Sequence, residues 1–578
     1  MSKVKITIDG AQLEVEKGTT VLEAARNANI HIPTLCNFKG LNSPSSCRVC
    51  VVESGTKLLA SCSLQAEEGM RIKTNTPKVR QARKTVVELI LSDHKRECPT
   101  CIRNNDCELQ SVANNLNIRD IGYLGKRTEG LPDSSSPAIV RDIEKCILCG
   151  RCVSTCTNIQ TVGAIDFINR GFSTTVAPAF NKPLNDSVCI NCGQCILACP
   201  VGALYENEQI SAVWQALADP DKYVVVQTAP AVRVALGEAF GMPIGTRVTG
   251  KMVSALRKIG FDKVFDTDFA ADMTIMEEGT ELLNRLKSEE NLPLMTSCCP
   301  GWVKFVEHNF PRMLDNLSTC KSPHEMEGAL IKSYFAKKMD IEQEQIIVVS
   351  IMPCTAKKFE SAREELSYQE KPDVDYVLTT RELAQMIKET GIDFLNLADE
   401  EFDNPFGEAS GAGVIFGATG GVTEAALRTV FELMSGEELK EIEFMAVRGF
   451  EGIKETAIEL PDGKLLRTAI IHGLGNARKV LELIQQGQKS YDFIEVMACP
   501  GGCINGGGQP IVHPQVLEQV NVKSLRASAI YDEDKSLTFR QSHKNPHVLK
   551  IYEEYLGSPN GHLSHELLHT HYLARERF

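Results

Sequence analysis

Closely spaced cysteines, whose thiolates bind metals, are the most informative residues of this sequence. Cys499 and Cys503 lie in a glycine-rich stretch, 495–510, that follows an apolar run typical of a strand. Glycine lets the backbone pass close to a bulky group. Because this pair has no further cysteines nearby, the other ligands of a metal centre must come from distant segments. Those segments supply Cys298, Cys299 and Cys354.

A second group of cysteines forms two runs with C-x2-C-x2-C-x3-C spacing. Such a doublet is typical of bacterial two-cluster ferredoxins, in which the fourth cysteine of each run binds the other 4Fe–4S cluster. The first run has Thr157 where proline is usual. The pattern predicts one cluster on Cys146, Cys149, Cys152 and Cys199 and another on Cys189, Cys192, Cys195 and Cys156.

Three signatures in the second half of the chain resemble the catalytic domain of the iron-only (FeFe) hydrogenases. The family patterns T-S-C-C-P-x-W, M-P-C-x-x-K and M-A-C-x-x-G-C-x-x-G-G-G-Q-P start here at Thr296, Met352 and Met497, in the family's order. With the accessory motifs, the resemblance covers nearly the whole chain. It implies reversible reduction of protons to H2 at an H-cluster, which is a 4Fe–4S cube joined to a diiron unit with CO, CN⁻ and azadithiolate ligands.

Two further ligand patterns precede the ferredoxin doublet, and for both the alternative is a structural zinc site. The C-x10-C-x2-C-x11-C spacing departs from the plant-type 2Fe–2S pattern, but it resembles the 2Fe–2S domain of hydrogenases and of the complex I large subunit. The H-x3-C-x2-C-x5-C pattern in isolation favours zinc, whereas the same resemblance implies a histidine-ligated 4Fe–4S cluster. The residues concerned are Cys36, Cys47, Cys50 and Cys62, and then His94, Cys98, Cys101 and Cys107.

The resemblance also implies roles for residues around the H-cluster. Cys299, Cys354, Cys499 and Cys503 would hold the cube, with Cys503 bridging to the diiron unit. Cys298 would be the proton donor nearest the azadithiolate amine. Its proton path would run outward through Glu278, Ser318, Glu281 and Arg285. Lys357 would donate to one cyanide, and the remaining lining residues would be Ala229, Pro230, Met352, Met497 and Phe416.

Each of these roles has a simpler structural alternative. Glu281 and Arg285 lie one helical turn apart and could form an ordinary surface ion pair. A spare buried cysteine such as Cys298 is usually a small inert hydrophobic residue, although a free thiol titrates near 8.5 and can exchange protons. The chain also departs from the family pattern at Ala231, Cys320 and His324, where the family often has Ser, Ala and Gln.

The elements that must position these residues can be predicted from apolar periodicity. Residues 4–8 alternate as in a strand, Asp9-Gly10 predicts a hairpin turn, and Thr20 with Glu23 predicts a capped helix ending near Ala28. Apolar runs at 223–228, 346–351 and 493–498 have the length of buried strands. Sites usually lie at the carboxyl ends of such strands in open α/β sheets. Residues 414–416 also look like a strand, followed by a tight glycine turn.

The expected fold class is therefore α/β multidomain. We expect an N-terminal β-grasp 2Fe–2S ferredoxin domain at 1–75 and a small 4Fe–4S domain with one histidine and three cysteine ligands at 76–130. A bacterial two-4Fe–4S ferredoxin domain at 138–208 and a large α/β H-cluster domain at 209–578 follow. The expected cofactors are one 2Fe–2S cluster, three accessory 4Fe–4S clusters and the H-cluster.

A histidine-rich segment near the end of the chain contains His565-Glu-Leu-Leu-His569, which matches the zincin H-E-x-x-H pattern. It leaves no room for a distant third ligand, so a docking helix is the preferred interpretation. The segment 560–572 resembles the same region in catalytic subunits of multimeric NAD(P)-linked, electron-bifurcating hydrogenases. That resemblance implies ferredoxin, flavin- or NAD(P)-binding subunits and diiron-unit assembly factors as partners.

Composition narrows the remaining possibilities. The net charge of −13 argues against nucleic acid or an anionic membrane as partner. The sequence has no apolar run long enough to span a bilayer and no signal-peptide pattern, so a cytoplasmic location is expected. The alternatives to an active hydrogenase are an H2 sensor or a cluster-assembly protein, and retention of Cys298, Glu278 and Lys357 favours the enzyme. The complex I large subunit shares the first three cluster motifs but continues into a molybdopterin-like region and lacks the Cys-Cys-Pro-Gly-Trp and Gly-Gly-Gly-Gln-Pro signatures.

Overall fold

The computed structural model describes residues 2–41, 45–439 and 441–577. The chain begins with a β-grasp unit in which the parallel pair β1–β5 lies inside a sheet of order β2-β1-β5-β3-β4. The hairpin turn at Asp9 and Gly10 is confirmed, with φ of 49° and 91°. The capping box of Thr20 and Glu23 is also confirmed. The elements are β1 (Lys3–Ile8), β2 (Ala11–Glu16), α1 (Val21–Asn27), β3 (Val51–Ser54), β4 (Lys57–Ala60) and β5 (Arg71–Lys73).

The next part of the chain consists of short elements that alternate with cysteine-bearing loops. A long helix precedes the histidine-containing motif, and each run of the ferredoxin doublet enters a short helix after a left-handed glycine, Gly150 or Gly193. The elements are α2 (Pro77–Asp93), α3 (Glu108–Asn115), β6 (Ile139–Arg141), α4 (Arg151–Ser154), β7 (Asp166–Ile168), β8 (Thr175–Ala177), α5 (Gln194–Ala198) and β9 (Leu204–Glu206).

The remaining part of the chain is a large α/β unit. Its elements are α6 (Ile210–Ala218), β10 (Tyr223–Thr228), α7 (Thr249–Ile259), β11 (Lys263–Asp266), α8 (Thr267–Ser288), β12 (Leu294–Met295), α9 (Pro300–Asn309), α10 (Pro323–Leu330), α11 (Ala336–Met339), β13 (Ile346–Met352), α12 (Lys357–Glu360), β14 (Ser367–Tyr368), β15 (Lys371–Pro372), β16 (Tyr376–Thr379), α13 (Thr380–Glu389), α14 (Gly411–Val414), α15 (Gly421–Ser435), β17 (Ile453–Glu459), β18 (Leu465–His472), α16 (Leu474–Gln485), β19 (Phe493–Met497), α17 (Pro514–Gln519), α18 (Val522–Ser536), α19 (Pro546–Ile551) and α20 (His562–Leu568).

Two separate sheets form the framework of this unit. The first is parallel throughout and has the order β11-β10-β13-β16. The second has the order β12-β19-β18-β17, with β17 antiparallel to its neighbour. The strands expected at 223–228, 346–351 and 493–498 are confirmed, but β19 belongs to the second sheet. The site at their carboxyl ends therefore lies between two sheets.

One expectation about local structure was wrong. Residues 414–416 are helical, because α14 continues into a 3-10 turn at Ile415–Gly417. This segment is buried among helices on all sides. A short apolar run that is buried all round has no periodicity to separate strand from helix, so the sequence could not decide between them.

The helix that carries the predicted relay glutamates, α8, is buried along most of its length. It packs against α10, α14 and α15. Across the described ranges, no helix has the length and apolar character needed to cross a bilayer. All 21 cysteines are free of disulfide bonds, as metal ligands must be.

Candidate functional site

Four cysteines from three distant segments converge between the two sheets. Cys354 follows β13, Cys499 follows β19, and Cys299 immediately precedes α9. Burial raises the pKa of Cys499 well above its ordinary value, and the charges of Cys354, Cys299 and Cys503 raise it further. Burial also raises the pKa of Cys354 to about 12, with Cys299 adding to the effect. Mutual repulsion of this kind requires closely grouped sulfurs, and a metal that neutralises thiolates would relieve it.

The glycine-rich loop after Cys499 fits closely against its surroundings. At Gly506, an added Cβ would lie 2.1 Å from the carbonyl oxygen of Pro353, which precedes Cys354. At Gly502, φ is +99° and a Cβ would lie 2.6 Å from the backbone nitrogen of Thr419. Only glycine allows this backbone approach, so the loop can bring Cys503 to the other cysteines.

Contacts between the ferredoxin doublet and this site pass through Cys192. A Cβ on Gly507 would lie 2.3 Å from the carbonyl oxygen of Cys192. The charge of Cys192 raises the pKa of Cys499, and the charge of Cys354 raises that of Cys192. A cluster bound at Cys192 would thus be the neighbour that exchanges electrons with the catalytic centre.

The doublet forms two cavities, and each is lined by cysteines from both runs. Each cavity groups three cysteines of one run with the fourth cysteine of the other, which supports the ligand exchange predicted from the spacing. The first cavity is lined by Cys146, Cys149, Cys152 and Cys199, and the second by Cys156, Cys189, Cys192 and Cys195.

His94 has the surroundings of a metal ligand. Its Nδ1 atom is buried and has no hydrogen-bond partner within the described residues. Burial lowers the pKa of His94 to about 4, so the imidazole is neutral and can donate a lone pair. The sulfur of Cys101 lies 2.7 Å from where a Gly202 Cβ would be, and the sulfur of Cys107 lies 3.8 Å from the carbonyl oxygen of Pro200. The neutral imidazole and these thiols fit either zinc or a cluster.

The four N-terminal cysteines also lie together in the β-grasp unit. Hydrogen bonds that the Cys36 thiol donates to Cys47 and Cys62 raise the pKa of Cys36, and one that the Cys50 thiol donates to Cys62 raises that of Cys50. The bond to Cys36 lowers the pKa of Cys47 to about 6. All four side chains are buried. A single metal centre is thus compatible with this set.

Replacement of His94 by cysteine tests the charge argument at the histidine-containing site. A fourth thiolate adds a negative charge, so we expect His94→Cys to lower the reduction potential of that cluster by on the order of 100 mV. The measurement is a redox titration followed by electron paramagnetic resonance. An unchanged potential in protein with full iron content would contradict the assignment, and bound zinc would favour the alternative site.

The relay glutamates lie along α8, as expected. Glu278 is buried, and burial together with the Glu281 charge raises its pKa to about 8, although the Ser318 hydroxyl acts in the opposite direction. Ser318 Oγ donates to Glu281 Oε2 at 2.8 Å. Arg285 pairs with Glu281 at 2.6 Å. The Glu281–Arg285 ion pair and the contacts expected of a proton relay therefore lie on the same face of α8.

Cys298 connects this stripe to the cysteine cluster. Burial, Glu278 and the thiolates of Cys299 and Cys503 raise the pKa of Cys298 well above its ordinary value. Because burial disfavours the thiolate, Cys298 differs from a free thiol, which titrates near 8.5. Cys298 rests protonated and can donate a proton inward. It can regain one from Glu278, whose pKa is in the neutral range.

Lys357 lies on the opposite side of Cys298. Its Nζ atom donates to the Cys298 carbonyl at 3.2 Å and pairs with Glu360 at 2.6 Å. Burial lowers the pKa of Lys357, but the Glu360 carboxylate more than offsets this, so the pKa is raised. A permanent cation in a dry pocket can hold a bound anion.

The structure places the other expected lining residues around the same space. Ala229 follows β10 and donates its N–H to the carbonyl of Ile351 at 3.0 Å. Phe416 and Met497 belong to one buried cluster that also contacts Cys298 and Cys503. The side chains of the expected set are buried: Ala229, Pro230, Met352, Met497 and Phe416.

Sequence reasoning did not identify the polar groups that support Lys357. His324 Nε2 lies 2.7 Å from Glu360 and 3.1 Å from Glu325, and all three side chains are buried. Such a trio has the ligand types of a metal site. Since Lys357 also pairs with Glu360, the trio serves more simply as a charge network that orients the lysine. The sequence signals were the departure from the family pattern at His324 and the spacing of Lys357 and Glu360, which places them one helical turn apart.

The H-E-x-x-H pattern does not form a zincin site. Both nitrogens of His569 already have partners, because Nδ1 contacts Thr319 Oγ1 at 2.8 Å and Nε2 contacts Glu277 at 3.2 Å. The His565 ring stacks parallel on His569 at 4.5 Å. The expected docking helix is α20, which packs against α10 of the same chain.

Five protein families match successive parts of the chain. Residues 222–507 match the family described as iron only hydrogenase large subunit, C-terminal domain, and 520–575 match iron hydrogenase small subunit. The earlier segments match three iron–sulfur families. These are a 2Fe-2S iron-sulfur cluster binding domain at 1–77, an NADH-ubiquinone oxidoreductase-G iron-sulfur binding region at 83–121 and a 4Fe-4S dicluster domain at 145–203.

Individual relatives match over similar lengths. The NADP-reducing hydrogenase subunit HndD of Solidesulfovibrio fructosivorans is 51% identical over 100% of both chains. Iron hydrogenase 1 of Clostridium pasteurianum is 43% identical over 98% of this chain and 99% of its own length. A solved FeFe-hydrogenase of Chlamydomonas reinhardtii is 43% identical, with a TM-score of 0.56 over 63% of this chain and 99% of its own.

Proposed function

This chain belongs to the iron-only hydrogenase family, and from that premise we propose how its own residues carry out the family reaction. It catalyses the reversible conversion of protons and electrons to H2 and relays the electrons through iron–sulfur clusters. The observation that carries the residue-level proposal is the convergence of the segments that bear Cys299, Cys354, Cys499 and Cys503: the Ala498 N–H lies 3.4 Å from the Cys299 sulfur, and the loop with Cys503 packs at Gly506 against Pro353. These four thiolates would hold the H-cluster.

The bound H-cluster supplies the atoms at which H2 is formed or split. The protein residues bring protons to that position and exclude water from it. Cys298 presents a buried, protonated thiol, and Glu278 behind it can restore the proton because its pKa is about 8. Ser318 and Glu281, 2.8 Å apart, continue the route toward the surface.

Arg285 marks the outer end of the proposed route in a different role. A guanidinium does not release its proton at physiological pH, so Arg285 cannot itself carry protons. It donates to the carbonyls of Asn291, Asp315 and Leu317 at 2.9 to 3.0 Å as well as to Glu281. Arg285 thus holds the Glu281 carboxylate in place.

Electrons would pass between the catalytic centre and the cluster that includes Cys192, and from there to the other accessory clusters. The proton couple lies near roughly −0.41 V at pH 7, from about 59 mV per pH unit. Ferredoxin-type clusters lie at about −400 mV. Because these potentials nearly coincide, electron transfer is close to isoenergetic in both directions.

The proposed electron partners are ferredoxin and a flavin- or NAD(P)-binding subunit in a multimeric complex, in the cytoplasm. The support is the relative named NADP-reducing hydrogenase subunit, which is similar over its whole length. Assembly factors for the diiron unit complete the proposed partners. The net charge of −13 suits a basic docking face on the redox partner.

Infrared spectroscopy tests the proposed site directly. Protein matured with diiron assembly factors should show CO and CN⁻ stretching bands and should evolve H2 from a reduced dye. Absence of both bands from iron-replete protein would overturn the proposed site. A separate test of the partner is copurification from the native host, and isolation of the chain without any flavoprotein would count against the multimeric complex.

A further inference from the structure

The C-terminal segment, residues 560–572, forms part of the structure around the proton route. Cys320 and His569 form an antiparallel backbone bridge. On the other side of residues 318–320, the Ser318 N–H donates to the carbonyl of Met295 at 2.7 Å. The stretch that carries Ser318 therefore lies like a strand between β12 and the C-terminal segment.

The side chain of His569 links this stretch to helix α8. Its Nδ1 lies 2.8 Å from Thr319 Oγ1, and its Nε2 lies 3.2 Å from Glu277 Oε2. The backbone N–H of Thr319 in turn faces the Glu281 carboxylate at 3.3 Å. Only 2% of the His569 side chain is exposed, so water does not compete for these contacts.

Glu277 anchors the C-terminal segment on α8. Its carboxylate is fully buried and accepts hydrogen bonds from Tyr552 Oη at 2.5 Å, Asn560 N at 2.6 Å and Ser564 Oγ at 3.3 Å. A buried carboxylate requires such donors. Replacing His569 would therefore remove one contact from a segment that stays attached by the others.

We propose that His569 is a positioning residue for proton transfer, which sets the contact between Ser318 and Glu281 by joining Thr319 to Glu277. Proton transfer requires donor and acceptor within about 2.6–3.2 Å, and the Ser318–Glu281 distance is 2.8 Å. A displacement of about 1 Å can slow such a step severely. The inference rests on the proposed proton route.

Several titratable groups face this imidazole. Glu277 comes from α8, and His565 stacks on it from its own helix at 4.5 Å. The Tyr552 hydroxyl donates to Glu277. The Cys320 thiol, in the stretch that pairs with His569, lies 4.0 Å from Glu281 Oε2. Burial is the largest cause that raises the pKa of Cys320. The charges of Glu281, Glu278 and Glu277 on α8 raise it further. Glu278 responds to the Ser318–Glu281 contact itself, since the Glu281 charge raises its pKa and the Ser318 hydroxyl lowers it.

Two substitutions separate the two contacts of His569. His569→Asn places an amide near the position of Nδ1 and can keep the bond to Thr319, whereas His569→Gln can reach Glu277 and loses Thr319. Thr319→Val removes the hydroxyl that contacts His569 Nδ1, with little change in side-chain volume. His562→Asn, at an exposed position of the same helix, is the matched control.

We expect both His569 variants and Thr319→Val to evolve H2 roughly threefold to tenfold more slowly. The solvent deuterium isotope effect should rise because proton transfer becomes limiting, while iron content and the His562→Asn control stay at wild-type values. A second measurement needs no diiron unit. In protein isolated without assembly factors, the infrared carboxyl band that Glu278→Gln removes should titrate at a different pH in His569→Asn than in wild type, because the Glu281 charge and the Ser318 hydroxyl, which act on the pKa of Glu278, have moved.

Wild-type turnover and isotope effect in Thr319→Val and in the His569 variants would overturn the proposal. If the His569 variants lose iron, Thr319→Val decides the question alone. If the proposed function itself is wrong, the experiment gives a different result: wild-type protein with a complete H-cluster would evolve no H2. The infrared titration of Glu278 would still report on His569 in that case.

Discussion

Glu278→Gln is expected to lower H2 evolution by about a hundredfold or more, because general acid–base groups contribute on that scale. Glu278 lies between Cys298 and the outer relay residues, and glutamine has similar size but cannot exchange a proton. The position is fully buried, so water cannot readily replace the carboxyl group. Turnover with a reduced dye, measured beside iron content and infrared bands, gives the result.

The control for this variant is Glu290→Gln, an exposed residue just beyond the same helix. It should keep wild-type turnover. Retention of full activity by Glu278→Gln, with an intact H-cluster, would exclude Glu278 from the proton route. Loss of the CO and CN⁻ bands would instead show that the substitution disturbs the metal site.

The pH dependence of the wild-type enzyme should differ between the two directions. The pKa of Glu278 is about 8, so the group is protonated below that pH and ionised above it. Hydrogen evolution needs the protonated form and should decline as pH rises through about 8. Hydrogen oxidation needs the ionised form to accept a proton, and should increase over the same range. Identical profiles in wild type and Glu278→Gln would contradict this assignment.

Cys354→Ala should abolish H2 turnover and, in matured protein, remove about six iron atoms per chain, those of the cube and of the diiron unit joined to it. Cys354 is the ligand from the first sheet, whereas Cys499 comes from the second. Without it, the cube would lose one of four thiolates, and the buried charges of the other three would repel one another. Iron analysis and paramagnetic resonance of the accessory clusters measure the effect.

Cys320→Ala is the matched control, because Cys320 is also buried and is not among the predicted ligands. It should keep its iron, and alanine is common at this position in the family. An unchanged iron content in Cys354→Ala would show that this cysteine does not bind the cube. The accessory clusters should keep their signals in both variants.

The proposed ligands could be chosen from the sequence because cluster motifs are local. Within the doublet, a C-x2-C spacing brings two sulfurs to the same cluster independently of the tertiary fold. The predicted exchange of Cys156 and Cys199 between the two clusters follows from the repeat. The strands at 346–351 and 493–498 were also predictable, since short apolar runs bounded by turns form buried strands. Family signatures supplied the roles of Cys298 and Glu278, which spacing alone could not.

The tertiary structure decided what depends on contacts between distant segments. Strand periodicity cannot tell which sheet a strand joins, so the placement of β13 and β19 in separate sheets emerged only from the fold. The burial that raises the pKa of Cys298 and Glu278 depends on helices from elsewhere in the chain. The contact of His569 with Thr319 joins residues 250 positions apart. Local sequence determines ligand spacing and element type, whereas burial and long-range pairing arise only when the whole chain packs.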